Sequence, residues 1–369
     1  MGQRYRGVSL FSGAGGMDVG FEMAGVDVIW ANECDKDACD TYDANHPGIV
    51  HRGYIQDFMD ELETLKGVDI IFGGPPCQGF SVAGKMDPTD ERSTLIWSFL
   101  NAVKRVNPRV FVCENVKALG SLAKWKYVRQ EFLLRADKLG YKCSYVVLNS
   151  KDYGVPQNRE RVFFIGARGK NIDREMLIKF FAAKTQPPRT VREVIKGLGP
   201  AGSHSNSEVC NAKITIATKP VLRRSPYAGM LFNGLGRPLE LDGYSATLPA
   251  SMGGNKTPII DEELLHGNAN NDWVREYHKH LWAGGEPLPF SGAPTRLRRI
   301  TVHEAALIQT FPEDYIFCGS KSSKYRQIGN AVPCNLAKAV AEVALEVISG
   351  KHRMRCKNEE RHQGMLDLR

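Results

Sequence analysis

The first 170 residues alternate short β-branched apolar runs with segments of helical periodicity, and this alternation constrains the fold more than any other feature of the chain. The predicted strands cover residues 7–11, 28–32, 68–72, 109–113, 144–148 and 161–165, and the predicted helices cover residues 17–24, 35–45, 93–106 and 127–139. This alternation predicts an α/β fold with a doubly wound, mostly parallel sheet. In such a fold, functional groups gather at the carboxyl ends of the strands.

Beyond residue 186 the sequence becomes rich in Pro, Gly and Asn, as in QPPRT, NGLGRPL and MGGNKTPII, and its periodicity weakens. Helical patterning returns at residues 302–310 and 335–348, and Leu336, Val340, Val343 and Val347 share one face of the second of these helices. We therefore predict a first domain (1–186), a smaller loop-rich domain (187–299), a return to the first domain (300–350) and a charged tail (351–369). The helix at 335–348 is expected to pack on the first domain.

Composition narrows the class of protein only moderately. The 369 residues carry a formal charge of +8, which favours an anionic partner but is also common on proteins that never bind nucleic acid. The nine cysteines are odd in number and scattered, without a CxxC pair, which predicts reduced thiols and neither disulfides nor a metal site. No signal-peptide pattern and no run of about 18 apolar residues is present, so we expect a cytoplasmic protein without membrane contact.

A Gly-rich turn, FSGAGGMDVGF (residues 11–21), lies between the first predicted strand and helix. Glycines there let the backbone approach a ligand closely. The dinucleotide fingerprint needs a third glycine at position 18, where this chain has Asp18, so a nicotinamide oxidoreductase is disfavoured. Glu33 ends the second predicted strand, where an acid typically binds ribose hydroxyls. The pair predicts a nucleoside-containing cofactor, and the alternative is an ordinary turn with a surface glutamate.

The segment GGPPCQGFS (residues 73–81) follows the apolar strand VDIIF. Two prolines stiffen the backbone before Cys77, and glycines flank it, so the thiol is expected in a fixed place on an exposed turn at the carboxyl end of a strand. A cysteine that only fills a core does not need this setting.

Two further motifs accompany strands of the same predicted sheet. ENV (residues 114–116) follows the strand RVFVC, so in a parallel sheet Glu114 emerges at the same edge as Cys77, where partial burial favours a protonated carboxyl. QNRERVFFIG (residues 157–166) places Arg159 and Arg161 before an apolar strand, where one of them can donate to a substrate carbonyl. A capping or surface role for Glu114, and pairing of the arginines with acids such as Glu160, stay open as alternatives.

These four motifs and the later QIGNAVP (residues 327–333) occur in the order seen in cytosine-C5 DNA methyltransferases, and the chain resembles that family over essentially its whole length. The resemblance implies a Rossmann-like, S-adenosylmethionine-dependent methyltransferase fold, with the target-recognition domain at 187–299. It also implies which residues surround S-adenosylmethionine: Phe11, Gly13, Gly15, Gly16, Glu33, Asp57, Pro76, Leu95 and Asn330. Asp57 is expected to face the adenine amino group. Ser93 stands where related proteins commonly have glycine, which puts the role of Leu95 in doubt.

For catalysis, the resemblance implies that Cys77 attacks cytosine C6, that Glu114 lies at N3, and that Arg161 donates to O2 with support from Arg159. Gln78 and Ser81 are expected on a mobile loop that closes over DNA. The basic residues of the second domain are candidates for phosphate or base contacts, which the sequence does not separate: Arg223, Arg224, Arg237, Lys256 and Arg296.

The expected activity is therefore methylation of a flipped cytosine in double-stranded DNA, by a monomer that forms the modification half of a restriction-modification system with a cognate endonuclease. A methyltransferase acting on tRNA cytosines is the nearest alternative. A catalytically silent DNA-binding homologue is the other, and the set of Cys77, Glu114 and Arg161 disfavours it because a non-catalytic protein has no physical need for a nucleophile beside an acid.

Overall fold

The computed structural model describes residues 4–76, 95–269 and 271–350, and its centre is a seven-stranded sheet covered by helices on both faces. The strands are β1 (Tyr5–Leu10), β2 (Val26–Glu33), β3 (Val50–Arg52), β4 (Ile70–Gly73), β5 (Val110–Val116), β6 (Tyr141–Asn149), β7 (Gln157–Asn158), β8 (Glu160–Arg168), β9 (Ile216–Val221), β10 (Met230–Phe232), β11 (Ser245–Ala246), β12 (Ile259–Asp261) and β13 (Leu297–Arg299). The helices are α1 (Gly16–Met23), α2 (Lys36–Asn45), α3 (Leu95–Val106), α4 (Lys117–Ser121), α5 (Lys126–Lys138), α6 (Arg174–Ala182), α7 (Val191–Ile195), α8 (Glu262–His266), α9 (Trp273–Trp282), α10 (Val302–Ile308), α11 (Lys321–Asn330) and α12 (Cys334–Ser349).

The sheet has the strand order β3-β2-β1-β4-β5-β8-β6. All neighbouring strands are parallel except β8, which runs antiparallel to both β5 and β6. The predicted doubly wound, mostly parallel sheet is thus confirmed. The chain moves outward from β1 to β3 and then restarts at β4 on the other side of β1, and such a switch point is where open α/β sheets bind ligands.

The alternation of side chains along the strands divides the core between the two faces of the sheet. On β4, Ile70 and Phe72 pack with α1, α6 and α12, whereas Ile71 points to the opposite face and packs with α3, α4 and α5. Both faces of the parallel strands are therefore buried, which explains why the sequences of these strands are almost continuously apolar.

Helix α12 packs on α1 in direct backbone contact. An added Cβ at Gly20 of α1 would lie 2.4 Å from the carbonyl oxygen of Cys334 and 2.5 Å from the Cβ of Ala337. The four positions that the sequence placed on one face, Leu336, Val340, Val343 and Val347, are all buried in the core formed by α1, α6 and α12. The C-terminal helix therefore covers the sheet as expected.

Residues 187–299, called the second region below, contain more regular structure than the sequence suggested. Three helices and five short strands lie there, and a small core joins Ile216, Phe232, Val274, Tyr277 and Leu281. The amphipathic helix α9 begins at Asp272, whose side chain accepts a hydrogen bond from the backbone N–H of Arg275. Val274, Tyr277 and Leu281 share its buried face at helical spacing, but the surrounding Pro, Gly and Asn led to a loop prediction for the whole segment.

The helices and strands predicted from the sequence all form, with ends that differ by a few residues, but several elements were not predicted. Strand β3 and helices α6 and α11 are short or polar and lacked a clear periodicity. No helix among the residues that the structure describes is long and apolar enough to cross a membrane.

We predict that Gly20→Ala lowers the free energy of unfolding by about 2 kcal/mol, because the new methyl group forces α1 away from α12. Gly197→Ala is the matched control, since a Cβ there meets nothing within 4 Å. Urea unfolding of both variants measures the difference, and equal stability of the two would contradict the close contact.

Candidate active site

A cavity of about 500 Å³ opens at the carboxyl edge of the sheet, beside the switch point between β1 and β4. Its walls come from the ends of β1, β2, β4 and β5, from the start of β8, and from residues 247–250 and 326–332. Ten residues singled out in the sequence line it: Phe11, Gly13, Gly16, Glu33, Pro76, Leu95, Glu114, Arg159, Arg161 and Asn330. The motifs that lie far apart in the sequence are thus brought to one place.

The Gly-rich turn after β1 is held in a conformation that few residues adopt. Phe11 and Gly13 have φ angles of 53° and 56°, and a Cβ at Gly13 would meet nothing within 4 Å. The backbone N–H of Ser12 donates to the carbonyl of Asn32, which fixes the turn on β2. The backbone of the turn is therefore exposed to the cavity without a side chain in between.

Glu33 connects this turn to the end of β2. One carboxylate oxygen accepts a hydrogen bond from the N–H of Gly13 (2.8 Å), and the other accepts from the N–H groups of Cys34 and Asp35 (2.8 Å each). A carboxylate has more lone pairs than these three donors use, so Glu33 can still accept from a ligand in the cavity.

A buried polar cluster supports the turn from behind. The Tyr315 hydroxyl donates to the carbonyl of Ala14 (2.6 Å), and the Tyr42 hydroxyl donates to Asp18 (2.9 Å), which is fully buried. Burial raises the pKa of Asp18 to about 6, against the opposing effects of Ser9, His46 and Tyr42. Sequence analysis identified Asp18 only as the residue that breaks the dinucleotide fingerprint.

Glu114 and Arg161 form an ion pair at the centre of the edge. The Arg161 Nε lies 3.0 Å from a Glu114 oxygen, and both side chains are largely buried. The contact depends on the direction of β8, because an antiparallel strand begins where β5 ends, and Arg161 is opposite Val116. Burial raises the pKa of Glu114, although the charges of Arg161 and Arg159 act in the opposite direction. Glu160 pairs with Lys117 instead, so it does not neutralise Arg161.

Arg159 is almost fully buried and contacts two other walls of the cavity. Its guanidinium donates to the carbonyls of Asn330 (3.1 Å) and Leu248 (3.5 Å). The side chain therefore ties the start of β8 to the second region and to the C-terminal segment.

Asn115 follows Glu114 in the ENV motif and was not identified as functional. Its amide donates to the carbonyl of Pro75 (3.2 Å), so it fixes the segment that leads to Cys77. Its position inside the motif was the available signal. Cys77, Gln78 and Ser81 themselves lie outside the residues that the structure describes.

Some predicted contacts are not at the cavity. Gly15 lies behind the turn against Tyr315, and Asp57 does not line the cavity, whereas Ile55 and Gln56 of the same segment do. The resemblance placed Asp57 at the adenine amino group; in the short 3₁₀ helix at Ile55–Phe58 its side chain is exposed to solvent, and the contact with the cofactor stays a prediction. Residues 247–250 also line the cavity and carried no recognised motif.

Among the basic residues of the second region, Arg223, Arg224, Arg237 and Lys256 are exposed, as a contact to a phosphate or a base requires. Arg296 differs, because its guanidinium pairs with Asp261 (3.0 Å) and Glu263 and is only 14% exposed. In the part of the chain that the structure describes, its guanidinium is thus paired within the protein, unlike the other four basic side chains, and its contact with DNA stays a prediction. Within the described ranges, no three His, Cys, Asp or Glu side chains come together in a way that could hold a metal ion.

Comparison with known sequences gives matches along nearly the whole chain. The profile of the family described as C-5 cytosine-specific DNA methylase matches residues 5–346. Type II methyltransferase M1.HphI of Haemophilus parahaemolyticus is 32% identical over 360 residues, which cover 92% of this chain and 86% of the relative. Type II methyltransferase M.MthTI of Methanothermobacter thermautotrophicus is 32% identical over 356 residues, which cover 93% and 97%.

Solved structures resemble the chain over a similar extent. The crystal structure of the S. pombe Dnmt2 methyltransferase superposes with a TM-score of 0.66 at 18% identity and covers 93% of this chain and 99% of that one. The Entamoeba histolytica methyltransferase EhMeth gives a TM-score of 0.63 at 16% identity, with 94% and 99% covered. At these identities the likeness concerns the fold, and it confirms the predicted methyltransferase architecture.

We predict that Asp18→Asn removes a pH-dependent loss of stability. Below pH 3.8 the carboxyl is protonated in both states, but as the pH rises the unfolded chain ionises first while the folded protein keeps its proton up to about pH 6. The wild-type free energy of unfolding should therefore fall across this interval by about 3 kcal/mol relative to the variant.

Urea unfolding at both ends of the interval tests this expectation. The exposed Asp27→Asn exchange on β2 is the control and should change stability by the same amount at both pH values. A difference between wild type and Asp18→Asn that does not vary with pH would show that the buried carboxyl does not behave in this way.

Proposed function

The chain belongs to the C-5 cytosine-specific DNA methylase family, as its five motifs predicted, and we propose that it transfers a methyl group from S-adenosylmethionine to C5 of a cytosine flipped out of double-stranded DNA. The observation that carries the proposal is the ion pair of Glu114 and Arg161 in the same cavity as the Gly-rich turn and Glu33. At this sheet edge, the acid Glu114 and the cation Arg161 can bind a base, and the exposed turn with Glu33 can bind a nucleoside cofactor.

The residues around the cavity fit S-adenosylmethionine. A volume of about 500 Å³ lies in the range of small-molecule sites, and Phe11, Ile55 and Val332 supply apolar wall while Glu33 supplies a carboxylate. Glu33, with acceptor capacity left, would hold ribose hydroxyls, and the N–H-rich turn at Gly13 and Gly16 would lie against the rest of the molecule. The cofactor supplies an electrophilic methyl group on a sulfonium. Pro76, Leu95 and Asn330 complete the wall.

Cytosine C5 is a weak nucleophile, so the protein must raise its electron density first. We assign this to attack of the Cys77 thiolate on C6, which forms a carbon–sulfur bond and moves the electrons of the C5–C6 bond toward C5. Transfer of the methyl group to C5 breaks the methyl–sulfonium bond and leaves S-adenosylhomocysteine. A solvent water then takes the C5 proton, and the electrons of the C5–H bond restore the double bond and expel the Cys77 thiolate. The hydrogen bond from Asn115 to Pro75 supports this role, because it anchors the backbone just before Cys77.

Glu114 is assigned to N3 of the base. Burial raises its pKa and so favours the protonated form that can donate to a ring nitrogen as negative charge develops there. Arg161, which already contacts Glu114 through Nε, has further N–H groups that can donate to O2 of the same base. Arg159 holds the surrounding walls together.

We further propose that residues 187–299 act as the target-recognition domain, with residues 1–186 and 300–350 forming the catalytic domain. The exposed cations Arg223, Arg224, Arg237 and Lys256 support contact with phosphates or bases, and Gln78 and Ser81 would lie on the loop that closes over DNA. The likeness to Type II methyltransferases supports a role as the modification enzyme of a restriction-modification system with a cognate endonuclease. We expect a cytoplasmic protein that acts as a monomer.

The reaction is tested by incubating the protein with methyl-labelled S-adenosylmethionine and either mixed-sequence duplex DNA or bulk tRNA, followed by digestion to nucleosides. We expect label in 5-methyldeoxycytidine from DNA alone. Label only in tRNA would keep the chemistry but replace the substrate, and no label in either would favour a catalytically silent DNA-binding protein.

We predict that Cys77→Ala abolishes methyl transfer while leaving the affinity for S-adenosylhomocysteine nearly unchanged, because the substitution removes the nucleophile and leaves the described residues of the cofactor wall intact. Cys143→Ala, in β6 away from the cavity, is the control and should retain activity. Substantial turnover by Cys77→Ala in the labelling assay would overturn the nucleophile assignment.

A further inference from the structure

Two buried glutamines meet between β7 and the end of α10. Gln157 begins the QNRERVFFIG motif, but neither it nor Gln309 was given a role from the sequence. Gln157 and Gln309 are both fully buried, and the Gln157 Nε2 donates to the Gln309 Oε1 over 2.9 Å. Burying a side-chain amide lowers the stability of the folded protein unless its N–H and C=O groups are hydrogen-bonded. The other hydrogen-bond partners of the two glutamines therefore show what the pair supports.

Each end of this pair holds the backbone of a different segment. The N–H of Leu248 donates to the Gln157 Oε1 (3.0 Å), and the Gln309 Nε2 donates to the carbonyls of Ile328 (2.6 Å) and Ala331 (3.3 Å). The bonds fix both amide orientations, because Leu248 can only donate and the two carbonyls can only accept. The result is one directed chain of hydrogen bonds from Leu248 to Ala331.

Both ends of the chain line the cavity. Leu248 belongs to the segment 247–250 from the second region, and Ala331 belongs to the C-terminal segment 328–331, which includes Asn330. The two segments pack directly on one another, since an added Cβ at Gly329 would lie 2.6 Å from the carbonyl oxygen of Pro249. A shift of one segment therefore disturbs the other unless both are tied to a common support.

We propose that Gln157 and Gln309 are positioning residues of the methyl-transfer site, which hold the segments 247–250 and 328–331 in one arrangement relative to the start of β8. Gln157 lies four residues before Arg161, so the stretch of chain that positions Arg161 for the base also positions both segments. The inference rests on the proposed function, because it assigns the segment 328–331 to the cofactor and the segment 247–250 to DNA. Because the two amides are hydrogen-bonded to each other, the segment 247–250 depends on Gln309 and the segment 328–331 depends on Gln157, although neither segment bonds to that glutamine directly.

Shape-conserving substitutions test this dependence. Gln309→Met removes the bonds to Ile328 and Ala331 and should weaken binding of S-adenosylhomocysteine, measured by calorimetry without DNA, by about tenfold. Gln157 makes no hydrogen bond to the carbonyls of Ile328 and Ala331. Gln157→Met should nevertheless weaken binding of S-adenosylhomocysteine several-fold, because Gln309 loses the hydrogen bond from Gln157. The double variant should bind no more weakly than Gln309→Met, since both substitutions break the same chain.

Asn206→Leu is the matched control. Asn206 is a fully buried amide at the other end of α10, where it donates to Gly199 and Glu304, and it does not line the cavity. Its loss should lower the free energy of unfolding as the glutamine substitutions do, with an unchanged affinity for S-adenosylhomocysteine. Equal loss of affinity in the control, or wild-type affinity in Gln157→Met, would overturn the proposal.

Gln309→Glu keeps the size of the side chain and the acceptor for Gln157, and it covers the case in which the methionine variants do not fold. An ionised glutamate has no donor for Ile328, whereas a protonated one has, so its affinity relative to wild type should recover as the pH is lowered. A ratio independent of pH would contradict the donor role. If the wild-type protein itself binds no S-adenosylhomocysteine, the proposed function fails. If the wild type binds it and the glutamine variants bind it equally well, as Asn206→Leu is expected to, only the positioning role fails.

Discussion

The direct contact between α1 and α12 is the constraint on which the rest of the structure depends. Gly20 leaves room for the backbone of α12 at Cys334, and the long apolar face of α12 then covers Ile70, Phe72 and their neighbours on the sheet. The same contact brings the residues just before α12 to the cavity, because an added Cβ at Gly16 would lie 2.7 Å from the carbonyl oxygen of Val332. The stability of the core and the completion of the site thus follow from one helix pair.

Two buried carboxyl groups near the cavity have different surroundings and consequently different uses. Glu114 lies beside two arginines, whose charges oppose the effect of burial on its pKa, and it opens onto the cavity. Burial raises the pKa of Asp18 as well, but its neighbours are the hydroxyl groups of Ser9 and Tyr42 and the imidazole of His46, behind the Gly-rich turn, rather than arginines. The first arrangement suits a group that meets a substrate, whereas the second suits a group that supports the backbone.

The fold class, six of the seven strands of the sheet and the gathering of the motifs at one sheet edge could be predicted from the sequence, because those features depend on local patterns and on the carboxyl edge of a parallel sheet. The sequence did not predict the pairing of Gln157 with Gln309, which joins residues far apart through single hydrogen bonds and leaves no periodicity. The direction of the Asp57 side chain and the ion pair of Arg296 with Asp261 likewise depend on the tertiary structure, because a residue type in a segment does not determine where its side chain points. The helix α9 was missed because it lies in a segment otherwise rich in Pro, Gly and Asn, which was interpreted as loop.

The cavity takes residues from both ends of the described chain: residues 9–14 and 16–18 near its start, and residues 326, 327 and 329–332 near its end. A nascent polypeptide that emerges from the ribosome at roughly 5–20 residues per second therefore carries its Gly-rich turn for many seconds before the last wall is synthesised. Until then the apolar sheet face awaiting α12 is open to solvent and to other chains, so this period is when the protein is most exposed to aggregation and to chaperones. Translation and the ability to modify a base are thereby coupled, because a chain that has not yet reached Val332 lacks part of the cavity wall.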